Sequence, residues 1–159
     1  MDNKLGVSKF KFDFLEKEII NAKIRLLDEY VTFGRERMDF EYLKNLNSFL
    51  FSDLYDLNEI GVRKLTVKEV DLIQMVLSDI EEICINEKNV DIILEKIVFL
   101  WKLQVFNTGN TRTLFTYLKV LNDAYLLNLD IDLNIEIESK PSMFNIDNFV
   151  NQKRLTKIK

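Results

Sequence analysis

The sequence predicts an all-α protein, mainly a helical bundle with at most a short β-hairpin or strand. From about residue 13 to residue 125, apolar residues recur at steps of three and four, the spacing of amphipathic helices. The 159 residues include only four glycines and one proline, as expected of a compact helical domain. A chain of this length suits one domain, which we place at residues 1–152, followed by a basic tail at 153–159 that we expect to be flexible.

Three helices are predicted in the first half of the chain. The first covers about residues 13–33, ends at Gly34, and has an apolar stripe formed by Phe14 or Leu15, Ile19, Ala22 and Leu26. The second begins at about Asp39, whose side chain can cap it, and its stripe continues to Leu57. Thr66 is the expected cap of the third helix.

Two further helices are predicted around a short turn. The segment Val90–Leu103 is apolar over most of its circumference, which predicts a helix in the middle of the bundle. A turn at Gly109 follows, and Asn110 can cap the fifth helix, whose apolar residues repeat from Leu114 to Tyr125. The turn therefore lies between two packed helices, where a helical protein can hold a loop rigidly.

The remainder of the chain has a different pattern. From Leu129 to Ile137, apolar residues alternate with acidic residues and asparagine, the period of a half-buried strand. Such a strand needs a partner, and three arrangements remain open: pairing with the segment Val62–Val67, pairing with another chain, or an irregular arm over the bundle. We interpret its acidic side chains as a solvated face. Pro141 can open a last short helix.

The composition excludes several classes of function. With 26 acidic and 22 basic residues, the chain has no general field that attracts nucleic acid or an anionic membrane. It has no histidine, the usual proton shuttle and the commonest metal ligand. The single cysteine, Cys84, excludes a disulfide framework and a cysteine-built zinc site, and we expect it to be buried. Without a signal-peptide core or an apolar stretch of membrane length, we expect a soluble protein of a reducing cytoplasm.

The most informative stretch runs from Gln104 to Arg112, with the sequence QVFNTGNTR. Gly109 and Asn110 both tolerate unusual backbone dihedrals, so the N–H groups that begin the next helix can converge on one point. Such a point favours an anion. Arg112 is either a contact for that anion or a solvated residue of the first helical turn, where a positive charge is otherwise mildly unfavourable.

These residues resemble the signature of the Fic/Doc (Fido) family, H-x-F-x-[D/E]-G-N-x-R-x-x-R. Four positions agree with it: Phe106, Gly109, Asn110 and Arg112. Three positions differ, because Gln104, Thr108 and Phe115 stand where the family has its histidine, its acidic residue and its last arginine. The resemblance covers about residues 40–127 in outline and is specific over about a dozen of them.

The resemblance implies a Fic-like helical fold, whose signature loop binds the phosphates of a nucleotide, commonly ATP, and transfers AMP to a hydroxyl of a target protein. By position, Gly109 and Asn110 would form the anion hole, and Arg112 would neutralise charge on the outer phosphates. With Asn107 and Thr108 these residues make up the expected nucleotide-binding set. Phe106 would be a packing anchor.

The three exchanges affect catalysis and metal binding. Gln104 occupies the catalytic position, but an amide does not accept a proton near neutral pH, so Gln104 can only position other groups. Thr108 offers a neutral hydroxyl where a carboxylate would hold Mg²⁺, so the affinity for Mg²⁺ should fall, and no metal-ligand set is predicted. Phe115 cannot donate a hydrogen bond to a phosphate.

Two functions follow from the resemblance. The first is a degenerate, catalytically impaired protein that binds a nucleotide or phosphate and acts through a protein target or a regulatory partner. The alternative is an active, divergent transferase that moves AMP or another phosphate-linked group to a protein hydroxyl, with water or a carboxylate from elsewhere replacing the histidine. A bacterial toxin-like cytosolic protein and an injected effector both remain open, and so does a homo-oligomer.

Overall fold

The computed structural model describes residues 4–30, 37–56 and 58–129, and these ranges contain five α-helices. The helices are α1 (Lys9–Tyr30), α2 (Phe40–Phe51), α3 (Val67–Asn86), α4 (Val90–Leu103) and α5 (Asn110–Tyr125). The all-α prediction is confirmed, since the only pairing of extended backbone within these ranges is an isolated antiparallel bridge between Val62 and Phe106. None of the helices described has the combination of length and apolar character needed to cross a bilayer.

The starts of α2 and α3 follow the capping signals of the sequence. The Asp39 carboxylate accepts a hydrogen bond from the N–H of Tyr42 at 3.0 Å. At α3, the Thr66 hydroxyl accepts from the N–H of Glu69 at 3.1 Å, and the Glu69 carboxylate accepts from the N–H of Thr66 at 3.1 Å. This reciprocal capping box satisfies two N–H groups that a helix start otherwise leaves unpaired. Both predicted caps are confirmed, and α4 has the predicted bounds.

The predicted face of α1 is wrong. The helix begins at Lys9 rather than near residue 13, and its buried apolar residues are Phe12, Ile20 and Ile24, whereas Phe14 is 62 % exposed. Apolar residues lie around much of this helix, so periodicity alone does not select one face. The buried face is the one that packs against α2.

The second helix is shorter than predicted. It ends at Phe51, and the N–H groups of Leu54 and Tyr55 then both bond to the Phe51 carbonyl in a turn. Leu54 is nevertheless fully buried, because the turn folds it back onto the core. The apolar pattern therefore continues past the helix end. The predicted stop at Gly34, the strand beyond Leu129, the helix after Pro141 and the tail 153–159 lie outside the described residues.

The central helix of the bundle is α5, rather than α4 as predicted. It packs against α2, α3 and α4, and every residue from 112 to 118 is buried. Two of these residues, Thr113 and Thr116, are polar and fully buried. In contrast, α4 leaves Phe99 40 % exposed and Trp101 half-buried. The first turns of α5, which carry Asn110 and Arg112, thus pack against several helices.

A buried thiol and a buried phenol make stability sensitive to alkaline pH. Burial raises the pKa of the Cys84 thiol to about 12, with Glu81 contributing, and it raises the pKa of the Tyr117 hydroxyl well above its usual range. Above about pH 9 for the thiol and about pH 10 for the phenol, the unfolded chain loses protons that the folded protein keeps. Below these pH values, the two groups should therefore cause no change in the free energy of unfolding. Above them, the free energy of unfolding should fall by about 1.4 kcal/mol per pH unit for each group.

Urea denaturation between about pH 8 and about pH 11 measures this loss. A Cys84→Ala variant is the matched control, because it should start from a lower stability and show a shallower decline with pH. Equal slopes for the two proteins would contradict the assignment to Cys84.

Candidate functional site

A pocket of about 310 Å³ opens at the N-terminus of α5. This volume is at the lower end of the range of roughly 300–1,000 Å³ that is usual for small-molecule sites. The pocket is lined by Glu16, Phe51, Tyr55, Gln104, Asn107, Thr108, Gly109, Asn110, Thr111 and Arg112. All six site residues named from the sequence are therefore in one pocket, while Phe115 lies in the core, fully buried.

Gly109 occupies a position that only glycine fits. Its φ of +81° is in the left-handed region, where an L side chain is strained. A Cβ atom there would also overlap the ring of Phe51. The loop that precedes α5 thus packs directly on Phe51, the last residue of α2.

Asn110 does not cap α5, contrary to the prediction. Gly109 is the N-cap residue, without a side-chain bond, and Asn110 is the first helical residue. From there its Oδ1 accepts from the N–H of Phe106 at 2.8 Å, and its Nδ2 donates to the Phe106 carbonyl at 2.8 Å. The asparagine side chain therefore closes the preceding loop instead of satisfying the helix start.

The first backbone N–H groups of α5 keep their hydrogen-bonding capacity. The first bond of the helix runs from the N–H of Thr113 to the Gly109 carbonyl at 2.9 Å. The N–H groups of Asn110, Thr111 and Arg112 precede that bond, and among the described residues they have no acceptor. Three donors at the positive end of a helix dipole can hold an anion.

Gln104 joins the end of α4 to the start of α5. It adopts a left-handed conformation with φ of 52°, and its Nε2 donates to the Trp101 carbonyl at 2.7 Å. Its Oε1 accepts from the Nδ2 of Asn110 at 3.3 Å. Because both ends of the amide are bound within the fold, Gln104 acts as a link between the two helices that flank the pocket.

Arg112 is not a solvated residue, so that interpretation of the sequence is wrong. It is only 6 % exposed, and its guanidinium forms an ion pair with the Glu16 carboxylate of α1. The other oxygen of Glu16 accepts from the Tyr55 hydroxyl at 3.0 Å. Burial lowers the pKa of Arg112, and the neighbouring Glu16 opposes this effect. An internal carboxylate therefore already balances the guanidinium of the pocket.

Thr108, at the acidic position of the signature, turns its polar groups into the protein. Its hydroxyl donates to the Glu59 carbonyl at 3.0 Å, and its own carbonyl accepts from the Nδ2 of Asn47 at 3.0 Å. No group of three or more acidic, cysteine or histidine side chains in the described ranges is placed to hold a metal ion. The threonine hydroxyl thus has a partner within the loop region.

Three polar residues that support the site, Arg63, Glu16 and Asn47, were not named as site residues from the sequence. Arg63 donates to the carbonyls of Leu103 and Gln104, at 2.9 and 2.7 Å, and so caps the end of α4. Glu16 and Asn47 each supply a polar side chain on a buried helix face. For those two a signal existed, because each lies three or four positions from buried apolar residues of its own helix.

The wall beside the start of α5 includes a tryptophan contact. The indole N–H of Trp101 donates to the Thr111 hydroxyl at 3.0 Å, so the side chain of the second α5 residue is held toward α4. In sum, the pocket offers backbone donors and a balanced ion pair. No known family model matches the chain, and no curated protein matches it either.

Proposed function

We propose that this chain is a catalytically impaired Fic-fold protein, which binds the phosphate of a nucleotide at the start of α5 and acts through a protein partner. The observation that carries the proposal is the set of N–H groups of Asn110, Thr111 and Arg112, which open a pocket and have no acceptor among the described residues. The match of Phe106, Gly109, Asn110 and Arg112 to the Fic signature supports the nucleotide as ligand.

Phosphate is the anion that suits this pocket best. Backbone N–H groups at a helix N-terminus bind phosphate oxygens, and the helix dipole favours the negative charge. Arg112 lines the same pocket and can add a charge-assisted contact if the ligand shares the guanidinium with Glu16. The ligand must therefore compete with an internal carboxylate, so we expect modest affinity.

The positions and contacts of Gln104, Thr108 and Phe115, the three residues that differ from the Fic signature, support impaired catalysis. The amide of Gln104 is bound at both ends, and it cannot take a proton from an attacking hydroxyl. The hydroxyl of Thr108 donates to a backbone carbonyl, and it lacks the negative charge with which a carboxylate would hold Mg²⁺. Phe115 is buried in the core and cannot reach a phosphate. A protein that binds a nucleotide without turnover would act by presenting the surface around the bound nucleotide to a partner protein.

The alternative is an active transferase, and one observation favours it. The Glu16 carboxylate lines the pocket, so a carboxylate from outside the signature is present near the ligand position. In that mechanism Glu16 would take the proton of the target hydroxyl, whose oxygen forms a new bond to the α-phosphorus while pyrophosphate leaves. The carboxylate oxygens of Glu16 already contact Arg112 and Tyr55, so this role requires the ion pair between Glu16 and Arg112 to separate.

Calorimetry with ATP, inorganic phosphate and adenosine tests the binding proposal. We expect ATP and phosphate to bind and adenosine to bind at least about tenfold more weakly, because a phosphate held by charged or dipolar donors is worth roughly 1.5–3 kcal/mol. Affinity should also fall as salt is added. Equal binding of adenosine and ATP, or no binding of either anion, would refute a phosphate site.

Incubation with radiolabelled ATP, Mg²⁺ and a lysate separates the two functions. The impaired protein should transfer no label to protein. Label that appears with the unaltered chain would establish the transferase, and its loss in a folded Glu16→Gln variant that still binds ATP would identify Glu16 as the base. The glutamine keeps the size of the side chain and an oxygen for Tyr55, so it is the matched change.

A further inference from the structure

Asn47 connects three segments around the pocket without lining it. Its side chain on α2 is fully buried. The Nδ2 donates to the Thr108 carbonyl at 3.0 Å and to the Thr113 hydroxyl at 3.1 Å, and the Oδ1 accepts from the N–H of Gly61 at 2.9 Å. An amide is needed here, because the site requires a donor and an acceptor on one short side chain.

The bond to Thr108 fixes the orientation of one peptide unit. In a planar trans peptide, the C=O and the following N–H point in opposite directions. The described residues contain no cis peptide. Because the Thr108 carbonyl accepts from Asn47, the N–H of Gly109 points away from Asn47. Thr108 and Gly109 both line that pocket, whereas Asn47 does not.

Without this bond, the peptide unit between Thr108 and Gly109 would be free to rotate. Gly109 has no Cβ, so it accepts a wide range of dihedrals. The loop would still be held nearby by two other bonds, from the Asn107 N–H to the Gly61 carbonyl at 2.9 Å and from the Thr108 hydroxyl to the Glu59 carbonyl at 3.0 Å. Loss of the Asn47 amide should therefore change the orientation of this peptide unit more than the position of the loop.

We propose that Asn47 is a positioning residue, which holds the peptide unit between Thr108 and Gly109 so that the Gly109 N–H is presented to an anion in the pocket. This inference rests on the proposed function for its ligand. The orientation of the Gly109 N–H itself does not depend on any ligand. The two parts can therefore be tested separately.

The test compares Asn47→Leu with Thr113→Val by NMR of backbone amides and by titration with inorganic phosphate. Leucine has nearly the size of asparagine and neither donates nor accepts, so the Thr108 carbonyl loses its donor. Valine at 113 removes another partner of Asn47 and leaves the bond to Thr108 in place. Both variants lose buried hydrogen bonds, so a lower stability alone does not distinguish them.

In Asn47→Leu we expect the Gly109 amide to become mobile and the affinity for phosphate to fall about tenfold, the effect of one charge-assisted hydrogen bond. In Thr113→Val the Gly109 amide and the affinity should stay near those of the unaltered protein. If Asn47→Leu does not fold, Asn47→Ser, which is too short to reach the Thr108 carbonyl, should show the same loosening.

An ordered, unshifted Gly109 amide in the folded Asn47 variant would overturn the inference, and so would an equal loosening in Thr113→Val. If the unaltered protein binds no phosphate while Gly109 loosens only when Asn47 is replaced, the proposed function fails and the positioning role stands. If phosphate binds and Gly109 does not respond to Asn47, the positioning role fails alone.

Discussion

Replacing Gly109 with alanine is expected to lower the free energy of unfolding by about 2–5 kcal/mol. Two costs combine at this position. The φ of +81° is strained for any L side chain, by about 1–2 kcal/mol. The added methyl would also overlap the Phe51 ring, and forcing such a contact in a packed core costs about 1–3 kcal/mol.

Gly61→Ala is the matched control for this prediction. Its φ of +87° gives the same backbone strain, but nothing lies within 4 Å of the added Cβ. Urea denaturation of both variants should show that Gly61→Ala costs only the backbone term, about 1–2 kcal/mol. If the two substitutions cost the same, the close packing of the signature loop on α2 is not present in the protein.

The second large effect is expected at the ion pair between Glu16 and Arg112. Their side chains are only 17 % and 8 % exposed, so removal of either charge leaves the other buried without a partner. Glu16→Leu alone should lower the free energy of unfolding by about 3–5 kcal/mol. Tyr55 would also lose the acceptor of its hydroxyl.

A double-mutant cycle tests this coupling. When both residues are replaced by leucine, no buried charge is left, and the stability should return to within about 1–2 kcal/mol of the unaltered protein. Denaturation of the two single variants and the double variant gives the coupling energy. Costs that simply add would mean that the two side chains do not interact in solution.

Local features of the fold followed from the sequence. The caps at Asp39 and Thr66 and the bounds of α4 depend on neighbouring residues, which the sequence displays directly. The role of Asn110 was harder to assign, because the N-cap position and the first helical position differ by one residue and use the side chain differently. The conformation of Gly109 decided between them.

The candidate site could be predicted only where it is continuous in the chain. Residues 104–112 are adjacent in sequence, so their common pocket required only the turn between two helices. Glu16 comes from a distant helix, and its place depended on which face of α1 is buried. The sequence offered apolar residues on two faces, and the packing of α1 against α2 decided between them. The periodicity of the sequence contains no information on tertiary contacts, and these contacts determine which face of α1 is buried.

The hydrogen bond between Trp101 and Thr111 gives the molecule a built-in optical reporter. Trp101 is the only tryptophan of the chain, so its fluorescence comes from one place beside the pocket. Its indole contacts a residue of the pocket wall and is half-buried, so a charge or a displaced water nearby would alter its emission. Binding of a ligand in the pocket can thus be followed by tryptophan fluorescence in the unlabelled protein.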